Sequence, residues 1–220
     1  MKLDMHLHSN HSSDGKESPK NILKHARKLG LGGVCITDHN TLSGNAEARK
    51  IAGDYGILVI RGMEISSTGG HILGIGIDSE VPRNLSPEET LARIHEAGGI
   101  AVVPHPFRQW TGLGDAAVRA MKPDAIEVLN SHSTARDNEM ARALCNELKL
   151  PMTAGSDAHD IRMIGKAGIS IPEVSSEEEA LECILHGKAK TLGKSRGLPG
   201  ALKDRTITIT NWIARGFKQM

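Results

Sequence analysis

The 220-residue chain predicts an α/β protein folded as a small, incomplete or distorted (β/α) barrel. Two observations predict it. Apolar runs of strand length alternate with amphipathic helical stretches at βα intervals, which favours a parallel sheet. Almost every one of these runs, about seven in the main, then ends in His, Asp or Glu. An open doubly wound sheet would gather its chemistry in one crevice. A barrel collects it all around its carboxyl face.

The first strand is Lys2-Leu3-Asp4-Met5-His6-Leu7-His8. Residues two apart share a face of a strand, so His6 and His8 project to the same side. The loop behind them adds His11 and Asp14. Ser18-Pro19 then starts a helix, with Ile22, Leu23, Ala26 and Leu29 at helical spacing and Gly30 as its stop. Gly33 to Thr37 is a short apolar strand ending in Asp38-His39-Asn40. Ser43 opens a second helix that reaches about Gly53. A strand from Ile57 runs to Gly62-Met63-Glu64, and the Gly69-Gly70 turn returns the chain as His71 to Ile77, in hairpin fashion.

Ser86-Pro87-Glu88-Glu89 reads as a capping box for a helix that buries Leu91, Ile94 and Ala97. Ile100 to Val103 is a strand ending in Pro104-His105-Pro106. A short helix over 114–121 precedes the strand Ala125 to Leu129, which ends in Asn130-Ser131-His132. Thr134 to about Leu148 is helical. Pro151 to Ala154 leads into Gly155-Ser156-Asp157-Ala158-His159. A strand over 167–171 and a capped helix from Ser175 to His186 complete the series.

Composition narrows the function classes. A formal charge of +1 gives no global field for nucleic acid or an acidic membrane. Three widely spaced cysteines (Cys35, Cys145, Cys183) without a CxxC point to a reduced, cytoplasmic protein. No signal peptide is expected at the start. No apolar run approaches the roughly 18 residues of a membrane span.

The strand-end groups are His6, His8, Asp14, His39, Glu64, His71, His105, Asp157 and His159. Six imidazoles and three carboxylates exceed the needs of one tetrahedral zinc ion. They suit two or three divalent ions with a carboxylate bridging between neighbours.

HLHSNHSSDG, ITDHN, RGMEIS, VPHPF and GSDAH, in that order over about residues 1–190, resemble the motifs of the PHP (polymerase and histidinol phosphatase) family. The resemblance implies a distorted (β/α)7, TIM-like barrel with a trinuclear metal centre at the carboxyl ends of its strands. It implies that His6, His8, Glu64 and Asp157 hold one ion. Glu64 would bridge to a second completed by His71 and His105, and Asp14, His39 and His159 would hold a third. Some relatives use a histidine in the first loop, which leaves His11 as the alternative to Asp14. The ions would be zinc, manganese or iron, with magnesium a further choice.

The family's usual chemistry is phosphate-ester hydrolysis, and the physics agrees. Paired ions clamp phosphoryl oxygens and lower the pKa of bound water towards ~7 in favourable zinc sites. In-line attack of a bridging hydroxide then needs no side-chain nucleophile, with Asp157, His159 and Glu64 as the reaction's central residues. Arg108 and Arg162 are the candidates for gripping substrate oxygens in two-point geometry. Asn130 and His132 would line the pocket, and His132 or bound water would protonate the leaving group.

A small phosphate monoester, a nucleotide or other phosphorylated metabolite, is the first substrate expectation. The 5′-3′ exonucleolytic hydrolysis of an oligonucleotide end is the second, without a stable nucleic-acid complex. Histidinol phosphate hydrolysis, an amide- or lactone-cleaving metal hydrolase and a non-catalytic PHP module rank below them. The phosphoesterase domain is expected to span 1–192. Residues 193–220 carry six Lys or Arg against Asp204 alone and read as a basic extension packed on or appended to the barrel.

Overall fold

The computed structural model describes residues 1–195. The reading of the basic extension, apart from its first three residues, falls outside them. The helices begin where their sequences provide caps. In α1 (Pro19–Lys28) the Ser18 hydroxyl accepts from Asn21 N–H, and Ile22, Leu23 and Ala26 are buried. α3 (Pro87–Glu96) carries the Ser86–Glu89 capping box, and α5 (Ala135–Leu148) carries an equivalent one from Thr134 and Asp137. α4 spans Gly114–Met121.

One helix start differs from expectation, and another, at Ser43 as expected, is capped from a distance. α6 (Glu177–Leu185) is capped by Ser176, because the Ser175 hydroxyl and N–H instead donate to Glu179. α2 (Ser43–Tyr55) has Leu42 at its cap position, whose side chain makes no cap bond, while Thr41 Oγ1 accepts from Ser43 N–H (3.2 Å). The Glu80 carboxylate reaches in from a distant loop and accepts from Leu42 N–H and the Thr41 hydroxyl.

Among the described residues, nine strands form one nearly closed, barrel-shaped sheet. They are β1 (Lys2–Leu7), β2 (Gly33–Ile36), β3 (Leu58–Ser66), β4 (His71–Ile75), β5 (Ile100–Val103), β6 (Ala125–Asn130), β7 (Met152–Gly155), β8 (Ala167–Ser170) and β9 (Lys190–Gly193). Their order is β7-β6-β5-β4-β3-β2-β1-β8-β9. The expectation of about seven main strands in a parallel sheet is corrected in part. β1–β2–β3 and β5–β6–β7 are parallel sets, whereas β4, β8 and β9 run antiparallel to their neighbours. The hairpin expectation is met: Ser66 pairs with His71 and Glu64 with Leu73. In consequence His71, the first residue of β4, lies at the same end of the barrel as the last residues of β3.

The ring closes on β1, whose edge is divided between two strands. Its first half pairs with β8, Leu3 opposite Ile169. Its second half meets the end of β7, where Asp157 N–H donates to His6 O (2.7 Å) and His8 N–H to Ala158 O (2.9 Å). Three buried aliphatic clusters fill the interior and the helix–sheet layers, one of them holding Leu7, Ile22, Leu23, Val34 and Ile36. Among the described residues no helix is long and apolar enough to cross a membrane.

Gly155 is the contact point of that closure. A Cβ added there would lie 2.3 Å from His6 Cβ and 2.6 Å from His6 N. Gly155→Ala should therefore destabilise by about 1–3 kcal/mol, the usual cost of overpacking. Gly53 in α2 has nothing within 4 Å of such a Cβ. Gly53→Ala should stabilise by about 0.4–1 kcal/mol. Urea unfolding of the two variants beside the parent checks both signs.

Candidate metal centre

The alternation of β1 puts Asp4, His6 and His8 on one face, and all three are buried. Glu64, on β3, is 1% exposed. His105 and Asp157 each stand two residues beyond a strand end, with φ of 29° and 54°. Such left-handed backbone is uncommon outside glycine and is concentrated at functional sites. Asp157 is held there by its N–H bond to His6, and His105 by N–H donation to Glu127 (3.0 Å).

Glu64 divides the imidazoles between its two oxygens. Oε2 lies 3.3 Å from His6 Nε2, 3.2 Å from His8 Nε2 and 3.6 Å from His39 Nδ1. Oε1 lies 2.7 Å from His71 Nδ1 and 3.1 Å from His105 Nε2. Asp157 is divided as well. Its Oδ1 faces His6, His8 and His159 at 3.5, 3.3 and 3.7 Å, while its Oδ2 accepts from Arg108 and from Asn130 Nδ2. Asp14 Oδ2 lies 2.9 Å from His159 Nε2 and 3.4 Å from His39 Nε2.

The charges follow from this crowding. Burial opposes ionisation of Glu64, yet His71, His39 and His6 hold its carboxyl well below the usual range. Burial is likewise outweighed at Asp157 by Arg108 and His6. It would also strip His8 of charge, but Asp157 and Glu64 raise that imidazole to about 10. His105 goes the other way: burial and the Arg108 charge push it down to about 4, so its ring is neutral at pH 7. These buried carboxylates demand positive charge, and a divalent cation on neutral imidazoles answers the same demand.

The donor set fits such ions. His8 Nδ1 and Nε2, His39 Nδ1 and His105 Nδ1 are buried without an aligned hydrogen-bond partner among the described residues. Buried polar atoms are otherwise nearly always paired. Ligand atoms within 4.8 Å of one another occur in His6-His8-Glu64-Asp157, in His39-Glu64-His71, in His8-Asp14-His39-His159 and in His132-Asp157-His159. Mixed imidazole and carboxylate donors suit zinc, manganese and iron.

The structure brings Asp14 to the cluster. His11 instead pairs with Glu47 at 2.9 Å on the surface. Arg108 donates to Asn130 Oδ1 (2.8 Å) as well as to Asp157, and His132 stacks on His159 with ring planes 10° apart. Two of the expected substrate residues are held by other partners. The Arg162 side chain is 84% exposed and both its donor groups turn back onto Asp160 within one short turn. Asn130 is fully buried, and its amide links Arg108, Glu127 and Asp157.

Glu127 is the residue that sequence reasoning missed. It is buried on β6, where its Oε1 meets His6 Nδ1 at 3.0 Å and its Oε2 accepts from His105 N–H and Asn130. Its signal was a lone acid inside the apolar run AIEVL, since a buried strand acid requires partners. Asp38 has a similar task, accepting from the N–H and hydroxyl of Ser9, both at 2.6 Å, and so fixing the first loop. A carboxylate on the outer nitrogen of a ligating histidine fixes its tautomer and orientation. Glu127→Gln should therefore leave the chain folded but weaken metal retention by about 10–100-fold. Competition with a chromophoric chelator measures it.

The PHP domain model matches residues 4–152, and a PHP-associated model matches residues 135–189. An uncharacterized protein of Methanocaldococcus jannaschii is 41% identical over 143 residues, covering 60% of this chain and 83% of the relative. A 5′-3′ exoribonuclease of Haemophilus influenzae is 29% identical over 146 residues, 64% of this chain and 48% of that protein. A 3′,5′-nucleoside bisphosphate phosphatase of Chromobacterium violaceum is 36% identical over 84 residues, 36% of this chain and 29% of that protein. The match thus spans less than half of either named enzyme. A two-domain crystal structure from Bacteroides vulgatus, described as containing a PHP-like metal-dependent phosphoesterase, superposes with a TM-score of 0.73 at 21% identity. It covers 88% of this chain and 64% of that one.

Proposed function

The chain belongs to the PHP domain family of metal-dependent phosphoesterases, and on that premise we propose that it hydrolyses phosphate monoesters of small metabolites, nucleotides among them. The observation that carries the proposal is the division of Glu64 and Asp157: one carboxylate bridges two sets of imidazoles, and the other joins that cluster to an arginine. In this reading two to three ions of zinc, manganese, iron or magnesium are held by His6, His8, Glu64 and Asp157, by Glu64, His71 and His105, and by Asp14, His39 and His159. When bound, such ions neutralise phosphoryl charge and supply hydroxide at neutral pH.

The chain's own residues do the rest. Arg108, with its side chain 25% exposed, is braced by Asp157 and Asn130 and grips a phosphoryl oxygen. His132, half-buried beside His159, gives a proton to the leaving oxygen. Glu127 and Asn130 hold His6 and Arg108 in orientation. The named bisphosphate phosphatase supports a small substrate. The named exoribonuclease supports the second reading, hydrolysis at an oligonucleotide end; the net charge of +1 argues against tight polyanion binding. Retention of all nine donors speaks against a non-catalytic module. A phosphoesterase domain over 1–192 with a basic extension over 193–220 remains the proposed organisation. Three buried free cysteines support a cytoplasmic location.

A panel of nucleotides, sugar phosphates, histidinol phosphate and short oligonucleotides, assayed with Mn²⁺, Zn²⁺, Fe²⁺ and Mg²⁺, tests the reading. Metal-dependent phosphate release is expected, abolished by chelation and by Asp157→Asn or His159→Ala. Elemental analysis should find two to three divalent ions per chain. No turnover of any ester would overturn the function, and one ion or none would overturn the multinuclear centre. Arg108→Ala should cost about 1.5–3 kcal/mol in kcat/KM, the worth of a charge-assisted hydrogen bond.

A further inference from the structure

We propose that Trp110, on the loop that carries Arg108, is a specificity-determining residue: its indole is the platform on which a planar ring of the substrate's leaving group stacks. The inference rests on the phosphoesterase reading and adds to it the shape of the ester, one whose alcohol carries a flat aromatic ring near the phosphoryl group.

The chain uses aromatic residues sparingly, with two Trp, two Phe and one Tyr in 220. The buried members of its three core clusters are aliphatic side chains, methionines and cysteines. Trp110 is left 89% exposed, while the next of the exposed large hydrophobic residues described, Leu29, stands at 46%. An indole is among the side chains that gain most from burial, so one held in water stabilises the fold little.

The backbone of Trp110 is as unusual as its exposure. Among the described residues seven other than glycine have positive φ. Lys122 and Lys149 are helix C-caps, and Asn40 and Asn84 are of the type that tolerates the left-handed region. The remaining three are His105, Trp110 and Asp157, with φ of 29°, 78° and 54°. Two of these belong to the candidate metal centre. Strain of this kind persists where the surroundings impose it, and it collects at ligand clamps.

Four backbone bonds impose it here. Arg108 N–H donates to His105 O (2.9 Å), Gly112 N–H to Arg108 O (3.0 Å), Gly114 N–H to Pro106 O (2.8 Å) and His71 N–H to Thr111 O (2.9 Å). The last of these ties the residue after Trp110 to a candidate metal ligand, and chain dimensions then keep the Trp110 Cα within about 10 Å of His71 N. Two residues before it, Arg108 reaches Asp157 and Asn130. One loop thus holds a guanidinium in the centre and an indole at its rim. A phosphoryl group gripped by the first leaves its alcohol portion to the second. An aromatic face stacks on any planar ring, and a platform fixed in advance loses little freedom on binding.

The test compares the parent, Trp110→Ala and Trp110→Phe on AMP, ribose 5-phosphate, p-nitrophenyl phosphate and glycerol 3-phosphate. Trp110→Ala should raise KM about 5–140-fold for AMP, for p-nitrophenyl phosphate or for both, the worth of one ring stacked on an aromatic side chain. It should leave kcat within about twofold, as the loss of uniform binding does. The two ringless esters should keep their KM, and Trp110→Phe should recover most of the loss. The AMP and p-nitrophenyl phosphate arms tell a base carried on a sugar from a ring joined directly to the phosphate. An equal change on all four esters, or none on any, overturns the platform. So does a shift from dimer to monomer on Trp110→Ala, which would make the indole a subunit contact.

Fluorescence separates the two layers. In a Trp212→Phe chain Trp110 is the sole tryptophan. The phosphonate of AMP, with a methylene in place of the ester oxygen, or benzylphosphonate, its aryl counterpart, should quench its emission saturably. Quenching without turnover of any ester in the parent would sink the phosphoesterase reading and uphold the platform. Turnover without quenching by either phosphonate would sink the platform alone, and neither quenching nor turnover would sink both.

Discussion

A buried carboxylate must be met by positive charge or by donors, and Glu64 at 1% exposure sets that requirement at the centre of this chain. Five imidazoles approach it within 3.6 Å, and they come from the ends of β1, β2 and β5 and from the start of β4. No single element could supply them. The carboxylate is ionised only because those elements converge, and their rings are buried only because it lies among them. Fold and site therefore stabilise one another through the same contacts.

That convergence explains two departures from a regular parallel barrel. A parallel β4 would begin at the far end of the sheet and carry His71 away from Glu64. Reversed, it begins opposite Ser66, the last residue of β3, and places His71 Nδ1 2.7 Å from Glu64 Oε1. The shared edge of β1 does comparable work. Because β8 pairs only with the first half of the strand, the second half is open to the end of β7. Asp157 can then bond to the backbone of His6 while its side chain faces the His6 and His8 rings.

Much of this was legible in the residue pattern. The two-residue period of β1 places His6 and His8 together, and acidic or imidazole groups at successive strand ends identify the mouth of the barrel. The capping box at Ser86 marks a helix start correctly, and the helix expected from Thr134 has that residue as its cap. What escaped depends on partners distant in sequence. Glu127 looks like an ordinary strand acid until β6 is set beside β5 and opposite His6. The start of α2 has no capping side chain at Leu42, and Glu80 reaches the Leu42 N–H from another loop. β8 and β9 reverse direction through pairings that local periodicity does not encode.

The same distinction separates the metal chemistry from substrate choice. Strand ends present ligands at positions set by the pleat, so nearness in sequence to a strand end is informative for them. The arginines that follow His105 and His159 stand on loops, whose paths follow long-range backbone bonds such as His71 to Thr111. Arg162, three residues after His159, turns outward because Asp160 captures it locally. Arg108, likewise three residues after a strand-end histidine, turns inward because Asp157 and Asn130 accept from it. Equal distance along the sequence from a strand-end histidine thus separates the two arginines only through the acceptors that each side chain meets.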